Sequence, residues 1–342
     1  LLQLIMFGYV VGSDVRNIPT AIVDQDRTVV SRQIAESFTS SGYFVVVSHP
    51  ENEEGIRSAM DRGEVQVAVL LPTGLSKGLE RGRQVPVEIV VDGSDSKTAS
   101  VASGYAAQII ASFNRQRLER LGLVQDAPGI DTRVRVLYNP ALRAVNAMVP
   151  GLAAFIMLLS VTAVMSQAVV KERERGTLEQ MFVTPITRGE YLVGKVMPYV
   201  IISTVQVVLV MLFGSWWFNV PFNGSVLLVG LGLFLFLLTG LGMGLFFSTV
   251  SRTRQQAQQA TMFMLIPTMV LSGFIFPIES MPAPIVPLTY LIPLRYVLVV
   301  LRSNWMKGSG FDALWPQFAA MTVIALLVFG GSLWRFQKRL GD

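Results

Sequence analysis

Apolar and polar positions follow two rhythms along this chain, and the change between them falls near residue 143. Before it, short β-branched runs alternate with amphipathic segments. IPTAIVD (18–24), YFVVVS (43–48), VQVAVLLP (65–72) and VPVEIVVD (85–92) have the length and composition of strands. Between them, Val29–Ser40 places Ile34, Ala35 and Phe38 on one helical face. ENEEGIRSAMDRG (51–63) is a second amphipathic helix that stops at Gly63, and Thr73–Arg81 is a short third. After the turn DGSDS (92–96) a long helix runs to about Gly122. Gly122–Asp131 reads as a loop, and VRVLYN (134–139) as a last strand. Strands alternating with helices predict an α/β domain over residues 13–143, with helices packed on a sheet.

After residue 143 the apolar positions run together. Val145–Val170, Val196–Phe218, Ser225–Val250, Ala257–Phe276 and Leu314–Trp334 are each long enough to cross a bilayer. The chain opens on LLQLIMFGYVV, about half of the roughly 20 residues a spanning helix needs. Residues 1–12 are expected to be the outer end of a first, truncated membrane helix. A cleaved signal peptide is the alternative, but no small-residue cleavage site follows. The expected fold is therefore a polytopic α-helical membrane protein. It would have six spans, an α/β domain inserted between spans one and two, and a transmembrane domain over 144–342.

Composition agrees with a membrane protein: 51% of residues are apolar, 15% are charged, and the mean hydropathy is +0.51. Charge then orients it. Residues 13–143 hold 15 Lys/Arg against 16 Asp/Glu, whereas the rest of the chain holds 13 against 7. The basic excess lies at span ends, which points to membrane orientation rather than nucleic acid. Five Lys/Arg lie in Lys171–Lys195. Arg252 and Arg254 lie in the next linker on that side, and Arg335, Lys338 and Arg339 in the tail. The positive-inside rule puts these linkers and both termini in the cytoplasm and the α/β domain outside. Trp216, Trp217, Trp305, Trp315 and Trp334 fall near span ends, as interfacial tryptophans do.

Residues 277–304 break the pattern. They are apolar, yet Pro277, Pro282, Pro284, Pro287 and Pro293 forbid one continuous helix. Such backbone at membrane depth must pack in protein or line a cavity, so re-entrant helices between spans five and six are expected.

The polar stretch Lys171–Lys195, KERERGTLEQMFVTPITRGEYLVGK, is the longest interruption of the apolar half. Arg175 and Glu179 stand at i,i+4, Gly176 breaks the register, Thr177 can cap a helix over LEQMF, and Pro185 ends it. Thr187 with Glu190 has capping-box spacing for the next helix. An ordinary charged loop and a docking helix both fit these residues. Gly240 and Gly244 form a GxxxG pattern, suited to close packing within one chain or across a dimer. Met262, Met269, Phe274 and Phe276 give the fifth span a Met/Phe-rich character. That suits a promiscuous path for apolar ligands, and equally suits core or lipid-facing packing.

These segments together resemble the type-2 ABC exporter permeases. The resemblance is carried by ERERGTLEQMFVTPITRGEYLVGK, by YNPALRAVNAMVPG (138–151) before the second span, and by LSGFIFPIESMP (271–282) before the re-entrant segment. The α/β domain after the first span is typical of the bacterial multidrug or small-molecule exporter subgroup. The resemblance implies that residues 171–195 form a coupling helix docking on a separate ATPase subunit. By position, Glu172, Arg173, Arg175, Gly176, Thr177 and Glu179 would carry that contact. ATP and Mg would be bound by the ATPase. A second permease copy or paralogue, membrane lipids and a periplasmic adaptor are the other implied partners, and the bacterial inner membrane the implied location.

No G-x-x-x-x-G-K-[ST] occurs, so the chain has no P-loop of its own. No catalytic set or metal-ligand spacing is evident. His49 reads as a turn residue, and Asp92 and Asp95 as a helix-capping turn rather than a cation site. The alternative to a permease is a membrane-anchored receptor of the phage-infection type, which shares an outer domain plus spans. It has no need of a charged helix at 171–195.

Overall fold

The computed structural model describes residues 15–122, 129–176 and 188–339. Two compact units divide them: a sheet unit that ends at Ala147 and takes in Glu279–Met281, and a helical unit from Met148 onward.

The sheet unit contains β1 (Ile18–Asp24), β2 (Phe44–Ser48), β3 (Val67–Leu71), β4 (Val85–Asp92) and β5 (Ile130–Leu137). Their order is β2-β1-β3-β4-β5, with β3 and β4 antiparallel and the other neighbours parallel. Helices α1 (Val29–Ser40), α2 (Glu53–Asp61), α3 (Leu75–Glu80) and α4 (Ser96–Leu121) complete it. Alternation along the strands decides which helix each face meets. Ile18, Ile22, Val67, Val69, Val87 and Ile89 share one core with Ile34 and Phe38 of α1, Leu75 of α3 and Ala102 of α4. Ala21, Val23, Ala68 and Val90 point the other way, onto Ile56 and Met60 of α2.

Local polar groups set the boundaries. Thr28 closes a capping box with Ser31 at the start of α1. Asp26 reaches across the chain and accepts from the backbone N–H of Gly74 (2.8 Å) and Ser76 (3.0 Å), capping α3. Burial pushes the Asp26 carboxyl up, but the Thr28 hydroxyl and those N–H groups outweigh it and hold it below 3.8. Asp95 caps α4 through the N–H groups of Lys97 and Thr98, so the 92–96 turn does serve as a helix cap. β5 begins at Ile130, earlier than the run at 134–139 predicts. The amide of Asn114 starts it, bonding both the N–H and the carbonyl of Ile130 at 3.0 Å.

The unit's exit is pinned by Asn139, which is buried. Its Nδ2 donates to the carbonyls of Gly93 (3.3 Å) and Arg143 (3.1 Å). Its Oδ1 accepts from Arg143 N (3.2 Å) and Asn146 Nδ2 (3.0 Å). This knot ties the end of β5 to the first turn of α5 (Ala144–Glu174), which holds Asn146.

The helical unit continues with α6 (Arg188–Trp217), α7 (Val226–Val250), α8 (Arg254–Leu271), α9 (Val286–Thr289), α10 (Pro293–Val300) and α11 (Phe311–Arg339). Four helices are long and apolar enough to span a membrane among the described residues: Ala144–Glu174, Val193–Trp217, Val226–Val250 and Phe311–Ser332. The opening span expected at 1–12 lies outside the described residues. The stretch Ala257–Phe276 differs from its expectation. It forms the 18-residue α8, which begins with the polar RQQAQQAT and ends before the left-handed Gly273. Residues 277–304 are broken as their prolines require: a 3-10 turn at Ile278–Ser280, then α9, then α10 running into a π-helix over Leu301–Lys307.

Candidate functional site

Helix α7 is the hub of the helical unit. In its most apolar stretch 56% of residues are buried, against 6% in α6. Small residues make that burial possible. A Cβ on Gly240 would sit 3.2 Å from Leu158, and one on Gly244 would sit 2.6 Å from Met165, both on α5. Thr162 Oγ1 donates to the Gly240 carbonyl at 3.3 Å, and Ser332 Oγ of α11 donates to the Gly242 carbonyl at 2.9 Å. The GxxxG pattern thus packs within this chain, against α5.

The α5–α7 seam leads to a polar rim where α5 ends. Ser248 Oγ accepts from the N–H groups of Val169 and Val170, each at 3.2 Å. In the next turn, three consecutive residues reach three different helices. Glu172 forms an ion pair with Lys195 of α6, whose Nζ also donates to the Ala168 carbonyl at 3.3 Å. Arg173 donates to the carbonyl of Ser251, the residue that ends α7. Glu174 takes both the Nε (2.7 Å) and the backbone N–H (2.8 Å) of Arg254, the first residue of α8. Each charge suits the helix end it meets: a cation at the C-terminus of α7 and an anion at the N-terminus of α8.

Beyond Glu174 the chain turns outward. Gly176 has φ +69°, a left-handed value at which its N–H closes the helix onto the Arg173 carbonyl at 3.2 Å. Arg175 and Gly176 are exposed. Of the six residues placed in the coupling device from sequence, Glu172 and Arg173 are therefore engaged with other helices of the same chain, and Arg175 and Gly176 face outward. Thr177 and Glu179 lie outside the described residues. The pairing of Glu172, Arg173 and Glu174 was not readable beforehand, because two of the three partners lie 78 and 80 residues away.

The Met/Phe residues are spread out. Met262 is exposed and Met269 half-buried, seven positions apart on one face of α8. Phe274 and Phe276 are half-buried past its end, and the Phe274 ring fills the space beside Gly151 of α5. Trp305 is buried against Phe222, with ring centroids 5.4 Å apart, unlike the exposed Trp216 and Trp217. The π-helical turn carries it inward, where Asn223 binds the carbonyls of Trp305 (2.9 Å) and Met306 (3.0 Å). Trp216, Trp217 and Trp315 are exposed. Among the described residues no group of three His, Cys, Asp or Glu is placed to hold a metal. In the sheet unit, a groove of about 980 Å³ between α1, α3 and the end of α4 is lined by Val30, Leu79, Phe113, Leu121, Arg117 and Arg120.

The model of a family described as ABC-2 family transporter protein matches residues 1–334. The chain belongs to this family. The chain is 32% identical over 348 residues to a protein of Escherichia coli K12 named "Probable multidrug ABC transporter permease YbhS", covering 100% of this chain and 90% of that one. Identity to "Probable multidrug ABC transporter permease YbhR" of the same organism is 29% over 340 residues, covering 99% and 92%. "Inner membrane transport permease YhhJ", also from that strain, is 27% identical over 358 residues, covering 100% and 93%. As an ABC-2 permease, the chain is a transport subunit of a multi-pass membrane protein complex rather than an enzyme, and ABC ATPases are its partners as separate subunits. Membership favours the permease over the receptor plan.

Proposed function

We propose that this chain is the permease of an ATP-driven exporter that moves drugs or other amphipathic small molecules outward across the bacterial inner membrane. Two permeases, identical or paralogous, would enclose the pathway, with Met262, Met269, Phe274 and Phe276 as candidates for its lining. The sheet unit lies outside the membrane, where it can meet a periplasmic adaptor, and both termini lie inside. Residues 1–12 and α8 supply the spans beyond the four apolar helices, and 277–304 dips into the outer leaflet.

The coupling device is the 171–195 stretch, and the observation that supports it is the rim at the end of α5. There an exposed Arg175 and Gly176 continue directly from a helix turn tied to α6, α7 and α8. Arg175, Gly176, Thr177 and Glu179 meet the ATPase, and Glu172 and Arg173 belong to the same device. The basic residues of the 171–195 and 251–256 linkers agree with a cytoplasmic position.

The test is purification of the complex from membranes with Arg175→Glu or Glu179→Arg in the permease. ATPase subunits are expected to be lost from the complex, and ATP-driven transport with them. Full retention with unchanged transport would overturn the reading.

A further inference from the structure

Successive residues of an α-helix point about 100° apart, so three in a row sweep about 200° of its circumference. Glu172, Arg173 and Glu174 use that sweep to reach α6, α7 and α8 in turn. All three contacts fall within one turn of α5, and the next two residues begin the proposed ATPase-docking stretch. Arg175 therefore stands within one turn of contacts to the end of α7, the start of α8 and Lys195, two turns into α6.

We infer that the last turn of α5 is a distributor: Glu172 and Glu174, with their counterparts Lys195 and Arg254, are positioning residues that pass movement of the docking stretch separately to α6 and α8. This rests on the coupling reading above and reassigns Glu172 from the ATPase surface to the inside of the permease. The geometry supports a transmitting role over a merely stabilising one. Glu174 holds both the side chain and the backbone N–H of Arg254, so it is joined to the backbone at the start of α8 as well as to a side chain. Lys195 likewise grips both the Glu172 carboxylate and the Ala168 carbonyl, one turn earlier on α5. The Glu174–Arg254 side chains are 29% and 46% exposed, and ion pairs that open to solvent contribute little to stability. Breaking this one should leave the fold intact.

These 342 residues contain no cysteine, so single reporters can be introduced once any cysteine elsewhere in the complex is replaced by serine. Leu209→Cys on α6 and Met262→Cys on α8, both at exposed positions, would each carry a bimane fluorophore in the full permease–ATPase complex in nanodiscs. The readout is the fluorescence shift between the nucleotide-free complex and the complex trapped with ATP and vanadate. Both reporters are expected to shift. Arg254→Glu is expected to abolish the shift at Met262→Cys and keep it at Leu209→Cys, while Lys195→Glu does the reverse. The swap Glu174→Arg with Arg254→Glu should restore part of the first shift, because it rebuilds the ion pair but not the bond to the backbone N–H of residue 254, and ATPase retention should be normal throughout. If both reporters shift in the parent but each variant affects both alike, or neither, the distributor is wrong and the coupling reading stands. If neither reporter shifts in the parent complex, the coupling reading itself fails and the distributor with it.

Discussion

The sheet unit and the helical unit solve the burial problem in opposite ways. In the sheet unit large apolar side chains point in: Ile18, Phe38, Val69 and Ile89 are fully buried. In the helical unit many point out. Leu209, Leu212, Phe213 and Trp216 of α6 are more than half exposed, while close contacts of α7 run through Gly240, Gly242, Gly244, Thr162 and Ser332. Water drives the first arrangement, through removal of apolar area. In a lipid solvent that force between helices is absent, and close backbone approach with hydrogen bonds across helices takes its place. Large side chains are buried in the helical unit too, Trp305 and Phe236 among them, but the seams of α7 with α5 and α11 close through small residues.

The largest effect expected from this contrast comes from truncating the same residue type in each. Phe38→Ala removes a fully buried ring and should cost about 3–5 kcal/mol. Phe213→Ala, at 55% exposure, should change stability by no more than about 0.5 kcal/mol. Thermal unfolding of the two variants in detergent compares them directly, and equal losses would break the contrast. Next comes enlargement. Gly244→Val drives a side chain into Met165 and the Thr162 carbonyl, whereas Gly230→Val meets nothing within 4 Å. The first should destabilise by about 1–3 kcal/mol and the second hardly at all.

The smallest effect is electrostatic. Asp26→Ala removes the cap of α3 and should cost about 1 kcal/mol, read as faster amide exchange over residues 74–80. Because the folded carboxyl is held below 3.8, its contribution is present above that value and is lost as pH falls through the lower folded one. The difference between parent and variant should therefore vanish in acid and persist at neutral pH.

Much of the sheet unit was legible in sequence, because its strands are β-branched runs bounded by turn residues. β1 and β4 lie at the positions their patterns predict. β5 was less legible: IDTRVRVL is an edge strand with polar residues on its solvent side, and the Asn114 clamp that starts it is a contact across 16 residues. The apolar helices were readable by length alone. α8 was overextended because hydropathy does not register that Ser272-Gly273 stops the helix. The burial of Trp305 was not legible because a π-helical turn has no pattern of its own in the sequence. At the rim, the charges of Glu172, Arg173 and Glu174 were visible, and their partners were not. A charged residue shows what it can pair with, and only the fold brings Lys195 and Arg254 within reach.

The central proposal is that residues 171–195 meet the ATPase and that the sheet unit does not. A benzophenone attached at Arg175→Cys, in membranes containing the whole complex, tests this most directly, with Glu36→Cys on exposed α1 as its counterpart. Illumination should join the permease to the ATPase subunit from position 175 and not from position 36. A cross-link to the ATPase from position 36, or none from position 175, would contradict the account.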